Sequence, residues 1–287
     1  MASMRDIKRR KGSIQSTQQI TKAMKLVSTV KLQRSKQRAM DARAYFSYMY
    51  KTVQSMLAKA GNIQHPYVTP SECQKKAVIM ITGNRGLAGG YNSNIIKLIT
   101  RGKLKKEDLV IYTLGSKGRD AMARYGYELA EDYSEMIDDP EYVDAMRLSA
   151  NLLNSYKNGE IGEIYLAYTH FKNTVVHEPT LIKLLPVEKD ESESAETEVT
   201  DDVPMNFEPE EQEALELIIP KYVTSLIYGG MVEAVASENG ARMQAMDSAT
   251  SNAEELIGKL TLQYNRVRQS SITQELTEII AGANAIS

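Results

Sequence analysis

A heptad pattern near the C-terminal end constrains the fold more than any other feature of the sequence. Apolar and small residues recur there in alternating steps of three and four positions: Met243, Met246, Thr250, Ala253, Ile257, Leu260, Tyr264 and Val267. This spacing indicates a helix that packs lengthwise against a second helix. The helical pattern runs from about Glu210 to Ala283, which is on the order of 100 Å at 1.5 Å per residue. We therefore expect it to protrude from any compact domain.

A second long helix is predicted at the other end of the chain. Between Met4 and Ala60 there is no proline, and Gly12 is the only glycine. The apolar stripe of this helix is narrow, and it is read at Ile7, Ile14, Ile20, Met24, Val27, Met40, Ala44 and Tyr48. So narrow a stripe suits one half of a two-stranded seam better than a globular core. With a compact domain between them, the two helices would most simply pair antiparallel.

The middle of the chain predicts a separate α/β domain. Short apolar runs alternate with helical patterns, and this alternation is typical of a mainly parallel sheet. The expected strands are 77–81, 108–114, 164–171 and 181–187, and the expected helices are 92–101, 116–125 and 140–156. The predicted fold is thus an antiparallel coiled coil of terminal helices plus a central Rossmann-like domain. Its expected parts are 1–60, 75–187, an acidic linker at 188–208, and 209–287. In the last part, Pro220 and Gly229–Gly230 should kink or relieve the first portion of the helix.

Charge is distributed unevenly along a chain whose net charge is only −2. Residues 1–60 carry 14 Lys and Arg against two acids, whereas 188–216 carry 13 acids against one base. The single cysteine, Cys73, excludes an intramolecular disulfide and suits a reducing compartment. No apolar run is long enough for a transmembrane helix or a signal peptide, so we expect a cytoplasmic protein that meets a membrane only through partners.

Candidate catalytic or cofactor sites are weak. The loop Gly83–Gly90 follows a predicted strand, but it lacks the Lys-Ser/Thr ending of a phosphate-binding loop, so a turn with positive φ is favoured. His65, His170 and His177 have no zinc-binding spacing, and the last two should be surface imidazoles beside a turn. Asp138–Asp139 should cap a helix. The residues predict no enzyme, no cofactor and no metal.

The basic first helix leaves two classes of partner open. Its positive side chains could neutralise the phosphates of a nucleic acid, which would make the chain a basic coiled-coil nucleic-acid-binding protein. A protein partner with acidic loops would satisfy the same charges.

Three stretches resemble the γ subunit of bacterial F-type ATP synthases. Ile272–Ala283 is similar to the C-terminal signature of that family, and Thr17–Val27 to its N-terminal one. Gly86–Asn92 is similar to its central loop, although many members have Cys in place of Ala88. The similarity extends from end to end in the family's order.

The resemblance implies a rotor, present in one copy per complex. The paired helices would form a shaft inside a hexamer of α and β subunits, and the α/β domain would stand on the c-ring and bind ε. The choice between H⁺ and Na⁺ would lie in the c and a subunits. Correspondence with the family places these residues in contact with the mobile loops of β: Lys22, Met24, Lys25, Arg242, Arg268, Gln269, Thr273 and Glu275.

Overall fold

A computed structural model describes residues 3–59, 65–188 and 211–286. The two long helices are α1, Met4–Lys59, and α5, Glu211–Ile286. The lengths of these helices, 56 and 76 residues, confirm the prediction of a long helix at each end of the chain. The expected acidic linker at 188–208 lies outside the described residues, apart from Glu188.

The described chain forms two compact units, and both long helices contribute to each. One unit contains residues 3–29 and 242–286, and the other contains 30–241. The division differs from the expected one, which put both helices entirely in the coiled coil. The reason is local composition: Val53 and Leu57 of α1, and Ile219, Val223 and Ile227 of α5, are apolar and are buried in the core of the second unit.

The second unit is built on a five-stranded sheet in the order β3-β2-β1-β4-β5. Its first four strands are parallel, and β5 is antiparallel to β4. This confirms the predicted mainly parallel α/β layer. The strands are β1 Lys76–Ile81, β2 Leu109–Leu114, β3 Glu128–Asp132, β4 Glu163–Phe171 and β5 His177–Leu185, and the helices are α2 Tyr91–Thr100, α3 Ser116–Arg124 and α4 Tyr142–Lys157.

Both faces of the sheet are covered. Ala77, Ile79 and Ile81 of β1 belong to a core that also contains parts of α1, α4 and α5. Val78 and Met80 point to the opposite face and pack with α2. Burial on both faces explains why the central strands read as continuous apolar runs rather than as alternating patterns.

Helix α5 is continuous through Pro220 and the glycine pair. The glycines permit close packing. A Cβ atom on Gly229 would lie 2.3 Å from the Phe46 ring, and one on Gly230 would lie 2.8 Å from Leu166. Only a residue without a side chain lets the helix approach both groups so closely.

The predicted cap of α4 is wrong. The helix begins at Tyr142, and the Glu141 backbone N–H donates to Asp144 Oδ2 at 3.1 Å. Asp139 is instead paired with Arg38, whose pKa the neighbouring carboxylate raises.

The loop before β1 is fixed to the loop before β4. Gly162 N–H donates to Lys75 O at 2.8 Å, and the half-buried Cys73 thiol donates to Glu160 O at 3.4 Å. At this end of the sheet, Glu163 pairs with Lys76 at 2.5 Å and with Lys183 at 3.2 Å. Burial acts to raise the pKa of Glu163, but these lysines and Tyr165 outweigh it and hold the pKa below its ordinary value.

Candidate partner-contact surface

The first unit is a two-helix coiled coil whose α5 seam is the predicted one. Met246, Ala253 and Leu260 are buried, and the other five seam residues are half-buried. The α1 side follows the same alternation of four and three, at Ile7, Lys11, Ile14, Gln18, Thr21, Lys25 and Ser28. Small hydroxyl residues and the stems of polar side chains therefore fill positions that apolar residues usually occupy.

Polar pairs connect the two helices and show their direction. The hydroxyl oxygens of Thr21 and Thr250 are 2.8 Å apart. Lys25 Nζ lies 2.6 Å from Asp247 Oδ1. In addition, Gln18 Nε2 donates to a carboxylate oxygen of Glu254 at 3.0 Å. From Gln18 to Lys25 the residue numbers increase along α1, while those of their partners on α5 decrease from Glu254 to Asp247. The two helices are therefore antiparallel, as predicted.

The predicted apolar stripe of α1 is wrong at several positions. Ile7 is buried and Ile14 and Met24 are half-buried, but Ile20 and Val27 are about 60% exposed. Met40 and Tyr48 are exposed as well, and the side chain of Ala44 lies outside the described residues. The stripe was read from hydrophobicity, whereas heptad spacing selects Thr21, Lys25 and Ser28.

The structure places the expected β-contact residues at different depths. Met24, Lys25 and Arg242 are half-buried, and Lys25 already pairs with Asp247 within the coiled coil. The others are exposed: Lys22, Arg268, Gln269, Thr273 and Glu275. Thr273 Oγ1 donates to its own helix, at Gln269 O. These five exposed residues include two cationic side chains, an amide and a carboxylate.

Sequence reasoning missed an exposed apolar stripe near the end of α5. Ile272, Leu276, Ile279 and Ile280 are all exposed. Their i, i+4, i+7, i+8 spacing puts them on one face of the helix. The signal was visible in the sequence as a separate helical pattern, because the next positions of the seam after Val267 are Ser271 and Gln274.

The loop Gly83–Gly90 is a tight turn, and its residues Gly83 and Asn84 bond within the chain. Leu87 and Gly89 have positive φ angles of 63° and 55°, as the turn interpretation expected. Gly83 N–H donates to Asn92 Oδ1 at 2.8 Å. At the neighbouring N-terminus of α3, Ser116 N–H donates to Asn84 Oδ1 and Gly118 N–H to Thr82 Oγ1, both at 2.9 Å. These amides hold the fold together and do not form a phosphate cradle.

The histidines are less exposed than expected. His65 is buried, and its Nδ1 accepts the Tyr67 N–H at 3.2 Å. His170 Nδ1 lies 2.7 Å from Glu233 Oε2. Burial lowers the pKa of His177. The expectation of a surface imidazole is therefore wrong for His177, whereas the His170 side chain is 38% exposed.

The described residues contain neither a candidate metal site nor a candidate membrane span. Among residues 3–59, 65–188 and 211–286, no three His, Cys, Asp or Glu side chains are grouped as a metal site would require. Within the same ranges, no helix combines the length and the apolar character needed to cross a bilayer.

Comparison with known proteins identifies the family. A family sequence model described as ATP synthase matches residues 3–286. The ATP synthase gamma chain of Lachnoclostridium phytofermentans is 63% identical over 292 residues, with 100% of both chains covered. The sodium ion specific ATP synthase gamma chain of Acetobacterium woodii is 41% identical, with 99% of both chains covered.

A solved structure shares the fold. It is a chain from the Euglena gracilis mitochondrial ATP synthase, in a structure of OSCP, F1 and the c-ring in rotational state 3. The match has a TM-score of 0.71 at 20% identity and covers 99% of this chain and 94% of the other. From the family match over nearly the whole chain and the full-length relatives, the chain belongs to the ATP synthase gamma chain family.

Proposed function

We propose that this chain is the central rotor shaft of an F-type ATP synthase. It couples ion flow through a membrane ring of c subunits to conformational change in a hexamer of α and β subunits. It is a non-catalytic subunit, present once per complex, that also binds ε. It lies at the cytoplasmic face of the cell membrane and meets the membrane only through these partners.

One observation carries the proposal: full-length similarity to gamma chains coincides with an antiparallel coiled coil. Its exposed polar residues Lys22, Arg268, Gln269, Thr273 and Glu275 are called the polar rim. The basic residues of α1 would also suit the phosphates of a nucleic acid, but the full-length similarity to gamma chains favours the rotor.

The shape of a two-helix shaft suggests how it acts. A pair of helices has no threefold symmetry, so each of three catalytic subunits around it meets a different face. Moving one site from 1:99 to 99:1 between two conformations requires about 5.5 kcal/mol of differential contact. Two to four hydrogen bonds to charged groups, at roughly 1.5–3 kcal/mol each, would supply that difference.

Two parts of the shaft have different chemistry and, on this proposal, different tasks. The polar rim residues, such as Lys22, Arg268 and Glu275, make contacts that depend on rotation angle. The apolar stripe of Ile272, Leu276, Ile279 and Ile280 would make apolar contacts with the hexamer, which have no direction and so permit turning.

The test replaces Arg242 and Gln269 by alanine together. They are 27 residues apart on α5, about 40 Å at 1.5 Å per residue, so each would contact the hexamer at its own height. We expect slower ATP turnover and weaker ion pumping in the assembled complex, because alanine replaces neither side chain's hydrogen bonds.

The matched control is the double variant Arg266→Ala/Gln263→Ala, which removes the same side-chain types from exposed positions of the same helix. The isolated Gln269→Ala chain should melt like the unsubstituted chain, because Gln269 is exposed. Arg242 is half-buried, so the melting temperature of its variant is measured separately. Normal pumping by the Arg242/Gln269 variant would show that these positions are only solvated shaft surface.

A further inference from the structure

Parallel α/β sheets bind ligands in a crevice at the carboxyl ends of the strands, where the strand order reverses. In this sheet the reversal lies between β1 and β4. The chain runs outward from β1 to β2 and β3, and then returns to place β4 on the other side of β1. The residues just beyond β1 and β4 therefore border the expected ligand position.

Side chains of α5 occupy that position. A Cβ atom on Gly83, just beyond β1, would lie 2.5 Å from Glu238 Oε1. At the end of β4, Phe171 N–H donates to Glu233 Oε2 at 3.3 Å, and His170 Nδ1 lies 2.7 Å from the same oxygen. The crevice thus holds a helix of the same chain where other sheets of this kind hold a ligand.

Two further contacts extend the attachment. Ser237 Oγ donates to Thr169 O at 3.1 Å, and Ser237 is fully buried. Gly240 lies so close to His177 that a Cβ atom would be 2.5 Å from Nε2 of the ring. The spacing of Glu233, Ser237 and Gly240 puts them on one face of the helix, toward the β4–β5 hairpin.

Contacts on more than one side restrict the helix in two ways. The carboxylate of Glu238 lies against the loop after β1, whereas Glu233 and Ser237 bond to β4. A helix held toward two strands cannot turn about its own axis without breaking one set of contacts. Because Phe171 N–H and Thr169 O are fixed backbone groups of the sheet, the helix also cannot slide.

We propose that the segment Glu233–Gly240, the anchor segment, fixes the rotor helix to the α/β sheet and so carries torque between them. The proposal rests on the rotor function proposed above. Helix α5 is a single helix from Glu211 to Ile286, and its later residues form the coiled coil of the first unit. Glu233, Ser237 and Glu238 are positioning residues, because they keep ATP turnover and ion transport in a fixed ratio.

The experiment weakens the anchor segment in the complete complex, reconstituted into vesicles. The variants are Glu233→Gln/Ser237→Ala and, from the sheet side, His170→Ala. Losing one or two hydrogen bonds should raise the population of the detached helix about 10- to 100-fold. Hydrogen exchange at the Phe171 amide should accelerate by a similar factor, and fewer ions should be pumped per ATP hydrolysed.

The matched control, Glu213→Gln, changes an exposed glutamate of the same helix and should leave both measurements unaltered. An unchanged ion-to-ATP ratio alongside faster Phe171 exchange would overturn the proposal. Loss of the folded state in both anchor variants would overturn it too, because the contacts would then maintain the fold itself. Failure of the unsubstituted complex to pump ions would contradict the proposed rotor function itself. The proposal for the anchor segment, which rests on that function, would then be rejected as well.

Discussion

Gly115 has a backbone conformation that other residues rarely adopt. Its φ angle is 117°, and a Cβ atom would lie 2.1 Å from Thr82 O. Thr82 in turn donates to Gly115 O at 3.1 Å and accepts the Gly118 N–H, so it cannot move away without losing bonds at the N-terminus of α3. The contact between Gly115 and Thr82 therefore joins the residue after β2 to the residue after β1.

We expect Gly115→Ala to destabilise the chain by at least about 2 kcal/mol, because backbone strain and overpacking each cost roughly 1–3 kcal/mol. Denaturant unfolding of the isolated chain measures the effect. Gly86→Ala is the control, since no atom lies within 4 Å of its added Cβ. Equal unfolding midpoints for the two variants would contradict the explanation.

Two histidines make stability depend on pH. Burial lowers the pKa of His177, and burial together with Lys157 lowers that of His65 against the opposing effect of Glu216. In the unfolded chain both titrate near about 6.5. Below that pH the unfolded chain binds more protons than the folded one, so stability falls as pH decreases towards the folded pKa values.

We therefore expect a lower melting temperature at about pH 5.5 than at about pH 7.5, the two sides of the unfolded histidine pKa. The double variant His65→Gln/His177→Gln should reduce this difference, because glutamine does not titrate. A pH dependence that is equally steep in the double variant would assign the effect to other groups.

At the scale of elements, the coiled-coil seam depends on matched hydroxyls. Thr21 and Thr250 face each other at 2.8 Å, and Thr21 is buried. Removing one hydroxyl leaves the other without this bond, which costs about 1–3 kcal/mol of stability. Replacing both threonines by apolar residues of the same shape is close to neutral.

A double-mutant cycle tests this asymmetry. Thr21→Val and Thr250→Val should each lower the melting temperature, and the double variant should recover most of the loss. Each hydroxyl also has a carbonyl partner in its own helix, Gln18 O at 3.1 Å for Thr21 and Met246 O at 2.7 Å for Thr250, so both single changes should fall at the lower end of that range. Additive effects in the cycle would show that the two hydroxyls do not interact.

Periodicity explains which elements could be predicted from the sequence. Buried strands such as β1 and β2 carry continuous apolar runs, and the α5 seam keeps its heptad spacing. The exposed edge strand β3, with three acids in five residues, has no such signal, because it forms by pairing with β2. The α1 seam was misplaced because its heptad positions carry Thr21, Lys25 and Ser28, while Ile20 and Val27 are exposed.

The candidate contact residues depend on a different kind of information. Arg268, Gln269 and Glu275 are ordinary exposed side chains in this chain. Their predicted role came from the family resemblance, since a partner's shape leaves no periodic signal in a single sequence. The anchor segment was missed for a related reason: Glu233 and Ser237 acquire their partners only when α5 packs on the sheet.

For the whole molecule, redox conditions should leave coupling unchanged. An intrachain disulfide needs two cysteines, and the sequence has one. We expect dithiothreitol to leave the ATPase activity of the assembled complex unaltered with respect to this subunit. The Cys73→Ser variant, assayed in parallel, isolates its contribution. A reductant response that disappears in Cys73→Ser would contradict the prediction.

The loop-to-loop attachment around Cys73 also makes this chain convenient for watching rotation directly. Because the sequence has a single thiol, one maleimide dye or gold particle would attach at one known place, without first removing other cysteines from the chain. The hydrogen bond from Gly162 N–H to Lys75 O fixes the surrounding backbone to the start of β4. A probe there would follow the sheet itself, so the angle it reports would be that of the α/β domain.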